Sequence, residues 1–485
     1  MIRPAPVIAA AALALAAAAS SPAFANPVDL PRIGEPADTA LSPQEETRIG
    51  SRVMAELYAR DYVLEDPEVT DYVTGIVWRL IASADAEPPT INVAILRDPR
   101  INAAALPGGF MVVNAGLLTE VRNESELAGV LGHELAHITQ RHIARTIEGT
   151  QVANLATWAA VLAAILAASA DPQVVFAALS IGQAANYQRE VNFTRAHELE
   201  ADRIGIRTMS KAGFDPEAMG SFFVRLEQQS RLYGNQLPEF LQTHPVNTTR
   251  ISEARMRAAA MPKRKVVDPI EFNLMQARTR ALIVDRPSQA VEFFAGQHNP
   301  ADATTADRYG LALAYSRLGD NKSALQALTP ALDSNPQQPN LALLDARVLF
   351  AQGKTQDGLA RLNKALEHHP RSAPVILEYA ESLIAAGKPD DARQLLLSHE
   401  QSLGTRMDTY RLLSEAARDA GNTSEAQYQM ANYLFVRGDG GGALAAIDAA
   451  LRLTSLSTQE RARLKARRAE IAQTAIDLPR RQDQR

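Results

Sequence analysis

Gly132-His133-Glu134-Leu135-Ala136-His137 is the stretch from which the rest of the chain is best read. Histidines at i and i+4 stand about 40° apart on a helix of 3.6 residues per turn, so both imidazoles face one point. Glu134 lies about 100° from His133 and about 60° from His137, close enough to hold a water beside an ion bound there. This H-E-x-x-H spacing points to zinc-assisted peptide hydrolysis, with His133 and His137 as ligands, Glu134 as general base and one Zn2+ per subunit. From Val130 to Ile138 there is no proline and no charge other than Glu134. That suits a buried helix, where unpaired imidazoles would be costly.

The third ligand separates the classes of such sites. A longer motif with a further glycine and histidine on the same segment would need Gly at 140 and His at 143, where the chain has Gln140 and Ile143. On a continuing helix His142 falls about 180° from His133, as a surface or core histidine on the opposite face. Glu198-Leu199-Glu200-Ala201-Asp202 offers the other common solution, a glutamate from a second helix. Glu198 and Asp202 share a face at i and i+4. Glu198 would bind the metal, and Asp202 would accept a hydrogen bond from a ligand imidazole. Glu200 points elsewhere, toward solvent. His197 is a rival ligand, histidine being a frequent partner of zinc.

Outward from this centre, residues 90–96 alternate and are β-branched, which predicts a strand. Phe110-Met111-Val112-Val113 predicts a second, entered through Pro107-Gly108-Gly109. It reads as a sheet edge, with Gly109, Phe110, Met111 and Val112 taking an extended substrate as a further strand. The two glycines would let that main chain approach. Ser42-Pro43-Gln44-Glu45 predicts a helix start with a capping box. Asn123 and Glu126 are spaced to cap the helix that carries His133.

The C-terminal half repeats. Gly319, Gly353, Gly387 and Gly421 recur every 34 residues, each followed five residues later by a small side chain: Ala324, Gly358, Ala392 and Ala426. Ala290 keeps the phase one period earlier, in a less regular unit over 271–304. A 34-residue period with a small residue in each second helix is the tetratricopeptide pattern, in which helix pairs touch at those residues and stack. Residues 438–468 read as a degenerate pair and cap. Such arrays offer a concave surface to proteins or peptides. The fold expected is mainly α: an α+β zincin-like metallopeptidase domain with a small β-sheet, followed by an α-solenoid. The boundaries expected are a leader at 1–25, the peptidase at 26–262, the repeats at 263–475 and a polar tail at 476–485.

Composition narrows the functions further. No cysteine is present, which excludes thiol catalysis, Cys-ligated zinc and disulfides. A net charge of −5 gives no pull toward nucleic acid. Arg3, the apolar run Ala5–Ala19 and Ala23-Phe24-Ala25 read as a cleavable secretory signal, the alternative being a membrane anchor. A signal on a disulfide-free chain fits a bacterial periplasm. Residues 151–170 carry no charge and nine alanines, and a second uncharged stretch follows Asp171-Pro172 to Gln188. The readings are a membrane hairpin, a packed helix pair, or an amphipathic hairpin in peripheral membrane contact through 151–188.

Gly132–His137 followed by Glu198-Leu199-Glu200-Ala201-Asp202-Arg203 resembles the zinc peptidase family of the CAAX prenyl proteases and the bacterial heat-shock membrane protease. That family pairs H-E-x-x-H with E-x-x-A-D on a later helix, its first glutamate being the third ligand. Asn102-Ala103 with Pro107-Gly108-Gly109 resembles the segment leading to the strand beside the family's active-site cleft. Most members are multi-pass membrane proteins, from which this chain departs. A soluble catalytic domain joined to C-terminal repeats is similar to a periplasmic branch of the family, over nearly the whole mature chain. The resemblance implies a periplasmic endopeptidase that degrades unfolded or misassembled outer-membrane proteins. It also implies that the enzyme assists their assembly and docks on the barrel-assembly machinery through its repeats. It further implies a loop histidine that can cap the metal. Thr243-His244-Pro245 matches that loop, so His244 is the candidate fourth ligand, the alternative being a simple loop histidine. Arg250 follows at the family's spacing, either to stabilise an oxyanion or to form a salt bridge. Two other functions stay open: a repeat-based chaperone or scaffold with a latent metal site, and a protease anchored by the 151–188 hairpin.

Overall fold

A computed structural model describes residues 41–86, 88–148, 184–233, 239–264, 266–297 and 302–476. The expected leader, nearly all of the Ala-rich segment 151–188 and the tail from 477 lie outside the described residues. Among the described residues no helix is long and apolar enough to cross a membrane.

The peptidase part opens with α1 (Pro43–Ala59), started by the Ser42–Glu45 capping box, and α2 (Pro67–Ile81), capped by Asp66. Three short strands follow: β1 (Asn92–Leu96), β2 (Ala103–Leu106) and β3 (Phe110–Asn114). Next come α3 (Ala115–Glu120) and α4 (Glu124–Thr139), which begins where the Asn123 side chain accepts the Glu126 N–H. Helices α5 (His142–Glu148), α6 (Ala184–Lys211), α7 (Glu217–Tyr233), α8 (Glu239–Thr243) and α9 (Thr248–Ala259) complete this part.

The strand order is β1-β3-β2, with β1 parallel and β2 antiparallel to β3. Gly109, Phe110, Met111 and Val112 are therefore not a sheet edge, and that expectation is corrected. Both flanks of β3 are already hydrogen-bonded, and Met111, Val112 and Val113 are buried. The short apolar run Phe110–Val113 does not by itself say whether the strand is an edge or a centre. The missing neighbour was the alanine-rich β2, whose side chains give little strand signal. Gly108 and Gly109, at φ 77° and 82°, serve the protein's own packing: a Cβ there would strike the Thr47 and Thr90 main chains.

The repeats are α10 (Ile270–Ile283) with α11 (Pro287–Gln297), α12 (Thr305–Arg317) with α13 (Asn321–Ser334), α14 (Pro339–Ala351) with α15 (Thr355–His368), and α16 (Ala373–Ala385) with α17 (Pro389–Ser398). A short α18 (Glu400–Leu403) precedes the pair α19 (Met407–Asp419) and α20 (Thr423–Val436), and α21 (Gly440–Leu451) and α22 (Thr458–Ile476) end the array. Gly319, Gly353, Gly387 and Gly421 each turn the chain between two paired helices at φ of 73–79°, a conformation glycine adopts without a Cβ clash. Ala324 and Ala392 are fully buried in their second helices, and a Cβ on Gly358 would strike the Phe350 ring.

The two parts share one core. Leu64, Val69 and Val73 of the peptidase pack in the same apolar cluster as Phe272, Leu274, Tyr309, Leu341 and Val348 of the repeats. The N-terminus of α2 is held by the first helices of the first and third pairs. Arg278 (α10) grips Asp66 at 2.7 and 2.9 Å and Glu68 at 3.0 Å, while Asn340 and Arg347 (α14) reach Glu68 at 2.7 and 2.8 Å. Farther along, Arg406 pairs with Asp71, and Arg437 with Glu65 at 3.0 Å. This face of the solenoid carries the chain's own helix.

Candidate metal centre

Close helix crossing builds the site. Gly132 on α4 and Gly205 on α6 face each other, and a Cβ on Gly205 would stand 3.0 Å from the His133 nitrogen. With no side chains between them, the two helices come near enough for Glu198, about two turns before Gly205, to reach the imidazoles of α4.

His133 Nε2 and His137 Nε2 are 3.0 Å apart. Glu198 places Oε2 3.5 Å from His133 Nε2 and Oε1 3.4 Å from His137 Nε2. His244, arriving after α8, sets Nδ1 3.3 Å from His133 Nε2 and 3.1 Å from Glu198 Oε1. One donor atom from each of these four residues lies within 4.8 Å of the other three. Ligands about 2.0–2.1 Å from a tetrahedral ion are separated by about 3.3 Å, so the measured separations fit a metal. His197 is not part of the group; its ring stacks on His142 at 4.2 Å.

Charge in the pocket is unbalanced. Burial alone would raise the Glu198 carboxyl, but His244, His133 and His137 outweigh it and hold the group well below the usual carboxylate range. Burial likewise opposes a proton on His133, yet the Asp202 and Glu198 carboxylates push that imidazole up to about 10. Glu134 is fully buried, and burial raises its carboxyl. Its Oε2 accepts the Ala105 N–H of β2 at 2.8 Å. Its Oε1, 3.5 Å from His244 Nε2, has no hydrogen-bond partner. A buried carboxylate oxygen without a partner costs free energy, and this one faces the donor cluster.

Asp202 Oδ1 lies 3.0 Å behind His133 Nδ1. Arg250 holds Asp202 in a fork at 2.7 and 2.8 Å and reaches Glu198 Oε2 at 2.7 Å and the Pro245 carbonyl at 3.1 Å. Of the two readings of Arg250, oxyanion donor or salt bridge, the structure shows the salt bridge. Its guanidinium is buried and already engaged by two carboxylates and a carbonyl, so it locks Glu198, Asp202 and the His244 loop together. Two further corrections concern α4. The helix does not continue to His142: it ends at Thr139, and Arg141 takes φ 51° with its guanidinium on the Leu41 carbonyl. The turn brings His142 back onto His137, with Nδ1 to Nδ1 at 2.8 Å. Glu200 is not free in solvent but pairs with Arg145 at 3.0 Å and His142 at 3.3 Å.

Comparison with known proteins bears on the same residues. The model of peptidase family M48 matches residues 67–258, and tetratricopeptide-repeat models match 309–373 and 349–401. A Vibrio cholerae protein assigned to the beta-barrel assembly-enhancing proteases is 37% identical over 335 residues, 68% of this chain and 69% of that one. The beta-barrel assembly-enhancing protease of Escherichia coli strain K12 is 33% identical over 344 residues, 70% of each chain. The mitochondrial metalloendopeptidase OMA1 of Arabidopsis thaliana is 30% identical over 222 residues, 45% of this chain and 42% of that one.

Proposed function

The chain belongs to the family of the beta-barrel assembly-enhancing proteases, metallopeptidases of family M48 with C-terminal tetratricopeptide repeats, and from that premise we propose a periplasmic zinc endopeptidase acting on unfolded or misassembled outer-membrane proteins. The observation that carries this reading is Glu134 Oε1, buried without a hydrogen-bond partner beside four donor atoms that lie within 4.8 Å of one another.

His133, His137 and Glu198 would hold Zn2+, with His244 as a fourth ligand that keeps the enzyme latent. Bound there, the ion would polarise the scissile carbonyl and acidify the attacking water. Glu134 does the proton work. The Ala105 N–H fixes one carboxylate oxygen, which leaves Oε1 to accept the water's proton and pass it to the leaving amine. Asp202, clamped by Arg250, holds the His133 ring in the tautomer that turns Nε2 inward.

The substrate strand is reassigned to β2. One flank of β2 pairs with β3; on the other, the Ala105 N–H is held by Glu134 and the Ala103 N–H by the Asn102 side chain, so a client there would have to donate to the β2 carbonyls. An extended client adding there would lay its main chain along the metal centre. Unfolded segments can do this and folded ones cannot, which supplies selectivity for misassembled clients. The repeats would dock the barrel-assembly machinery through surfaces other than the face taken by α2.

Zinc content and casein cleavage test the reading. The wild-type chain should carry about one Zn2+ and cleave unfolded casein. Glu198→Ala should lose the metal, and Glu134→Gln should keep it without cleaving. A Glu198→Ala protein that retained full zinc would overturn the site. His244→Ala should raise basal cleavage; a drop would count against a latency role. Cell fractionation tests the periplasmic placement.

A further inference from the structure

Behind His137 lies a polar cluster that the reaction does not use: His142, His197, Glu200 and Arg145. It rests against a metal ligand, and its proton arrangement follows from elementary constraints. His137 turns Nε2 toward His133 Nε2 and Glu198 Oε1. If Nε2 binds the metal, the one proton of the neutral imidazole must sit on Nδ1. The atom facing that N–H is His142 Nδ1, at 2.8 Å, which must therefore accept. The proton of His142 is then on Nε2, 3.3 Å from Glu200 Oε2, and Arg145 holds the same carboxylate oxygen at 3.0 Å. The His142 ring is buried and stacked parallel to His197, with 9° between the planes. Only one assignment of protons satisfies every pair.

We propose that His142 is a positioning residue for the metal ligand His137, fixing its tautomer and ring plane through a relay that ends on Glu200. The proposal rests on the reading of His137 as a zinc ligand. It gives the two histidine ligands unlike support. His133 is backed directly by the Asp202 carboxylate, which raises donor strength. His137 is backed by a neutral imidazole, with the carboxylate one step farther away. It also gives a use to the left-handed turn at Arg141, without which His142 would leave on the far face of α4.

The test uses the full chain and zinc itself, measuring zinc affinity by competition with a chelator and the visible spectrum of the cobalt-substituted protein. His142→Phe keeps an aromatic ring on His197 but has no acceptor. His142→Asn places an amide oxygen near the position of Nδ1. Loss of an outer partner of a ligand histidine commonly weakens metal binding about 10–100-fold. That loss, with altered cobalt bands, is expected for His142→Phe, and recovery of most of both for His142→Asn. Wild-type affinity and spectrum in His142→Phe would overturn the proposal, as would equal impairment of the two variants, since that would assign His142 to packing. Should His142→Phe not fold, Glu200→Leu reads the relay from its far end: weaker zinc binding supports it and unchanged binding overturns it. Glu198→Ala separates the two levels. If it too binds zinc like the wild type, the metal centre has failed; if it loses zinc while the relay variants do not, only the relay has.

Discussion

Asp66, Glu68 and Arg278 are buried, as are Glu134, Glu198, Asp202 and Arg250, yet the two clusters are built on opposite terms. Where α2 meets the repeats, Arg278, Arg347, Asn340 and Tyr309 between them engage every oxygen of Asp66 and Glu68. At the metal centre, Glu198 and Asp202 share one guanidinium, and Glu134 Oε1 has no hydrogen-bond partner. Density of buried charge does not by itself mark a functional site. The informative feature is what the charges leave over. A closed network holds two parts of the chain together, whereas an open one has room for a cation and a reacting water.

Removing the group left over should give the largest effect. Glu134→Gln is expected to lower casein turnover by at least about 10²–10⁴-fold, with zinc content and the urea unfolding midpoint held or raised. A loss of zinc would show that Glu134 belongs to the ligand set and would blur the contrast. Opening the closed network should act on stability instead. Arg278→Met strands Asp66 and should cost about 3–5 kcal/mol in urea unfolding, with metal content unchanged. If Arg278→Met protein loses zinc while still folded, the two clusters are coupled and the comparison breaks. Asn340→Ala removes a single donor from Glu68 and should cost about 1–3 kcal/mol.

Acid should give the mildest readout. Burial would raise the Asp66 carboxyl, but the Arg278 charge and hydrogen bonds outweigh it, so the folded group sits below its ordinary value. A depressed carboxyl contributes stability that is present above the unfolded pKa of about 3.9. That stability is lost as pH falls through the lower folded value. Urea midpoints should thus be flat in this contribution near neutrality and fall below about pH 4, and Asp66→Asn should flatten that fall. An unchanged slope in Asp66→Asn would remove Asp66 from the acid response.

Much of this molecule was legible in the residues because its signals are local or periodic. His133, Glu134 and His137 share one helix, so their common face follows from 3.6 residues per turn. Glu198 and Asp202 fall together for the same reason. Four glycines and four small side chains at a period of 34 announce stacked helix pairs. The rest depends on pairings between distant segments. That β3 is central required β2, whose alanines carry no strand signal of their own. That Arg250 is engaged required Asp202 and Glu198 to arrive from another helix. That His142 backs His137 turned on one left-handed residue, Arg141, where local pattern predicts an unbroken helix. Local sequence determined which side chains this protein brings to its chemistry. Tertiary structure decided which of them are already engaged, because a hydrogen bond is settled only when both partners have been placed.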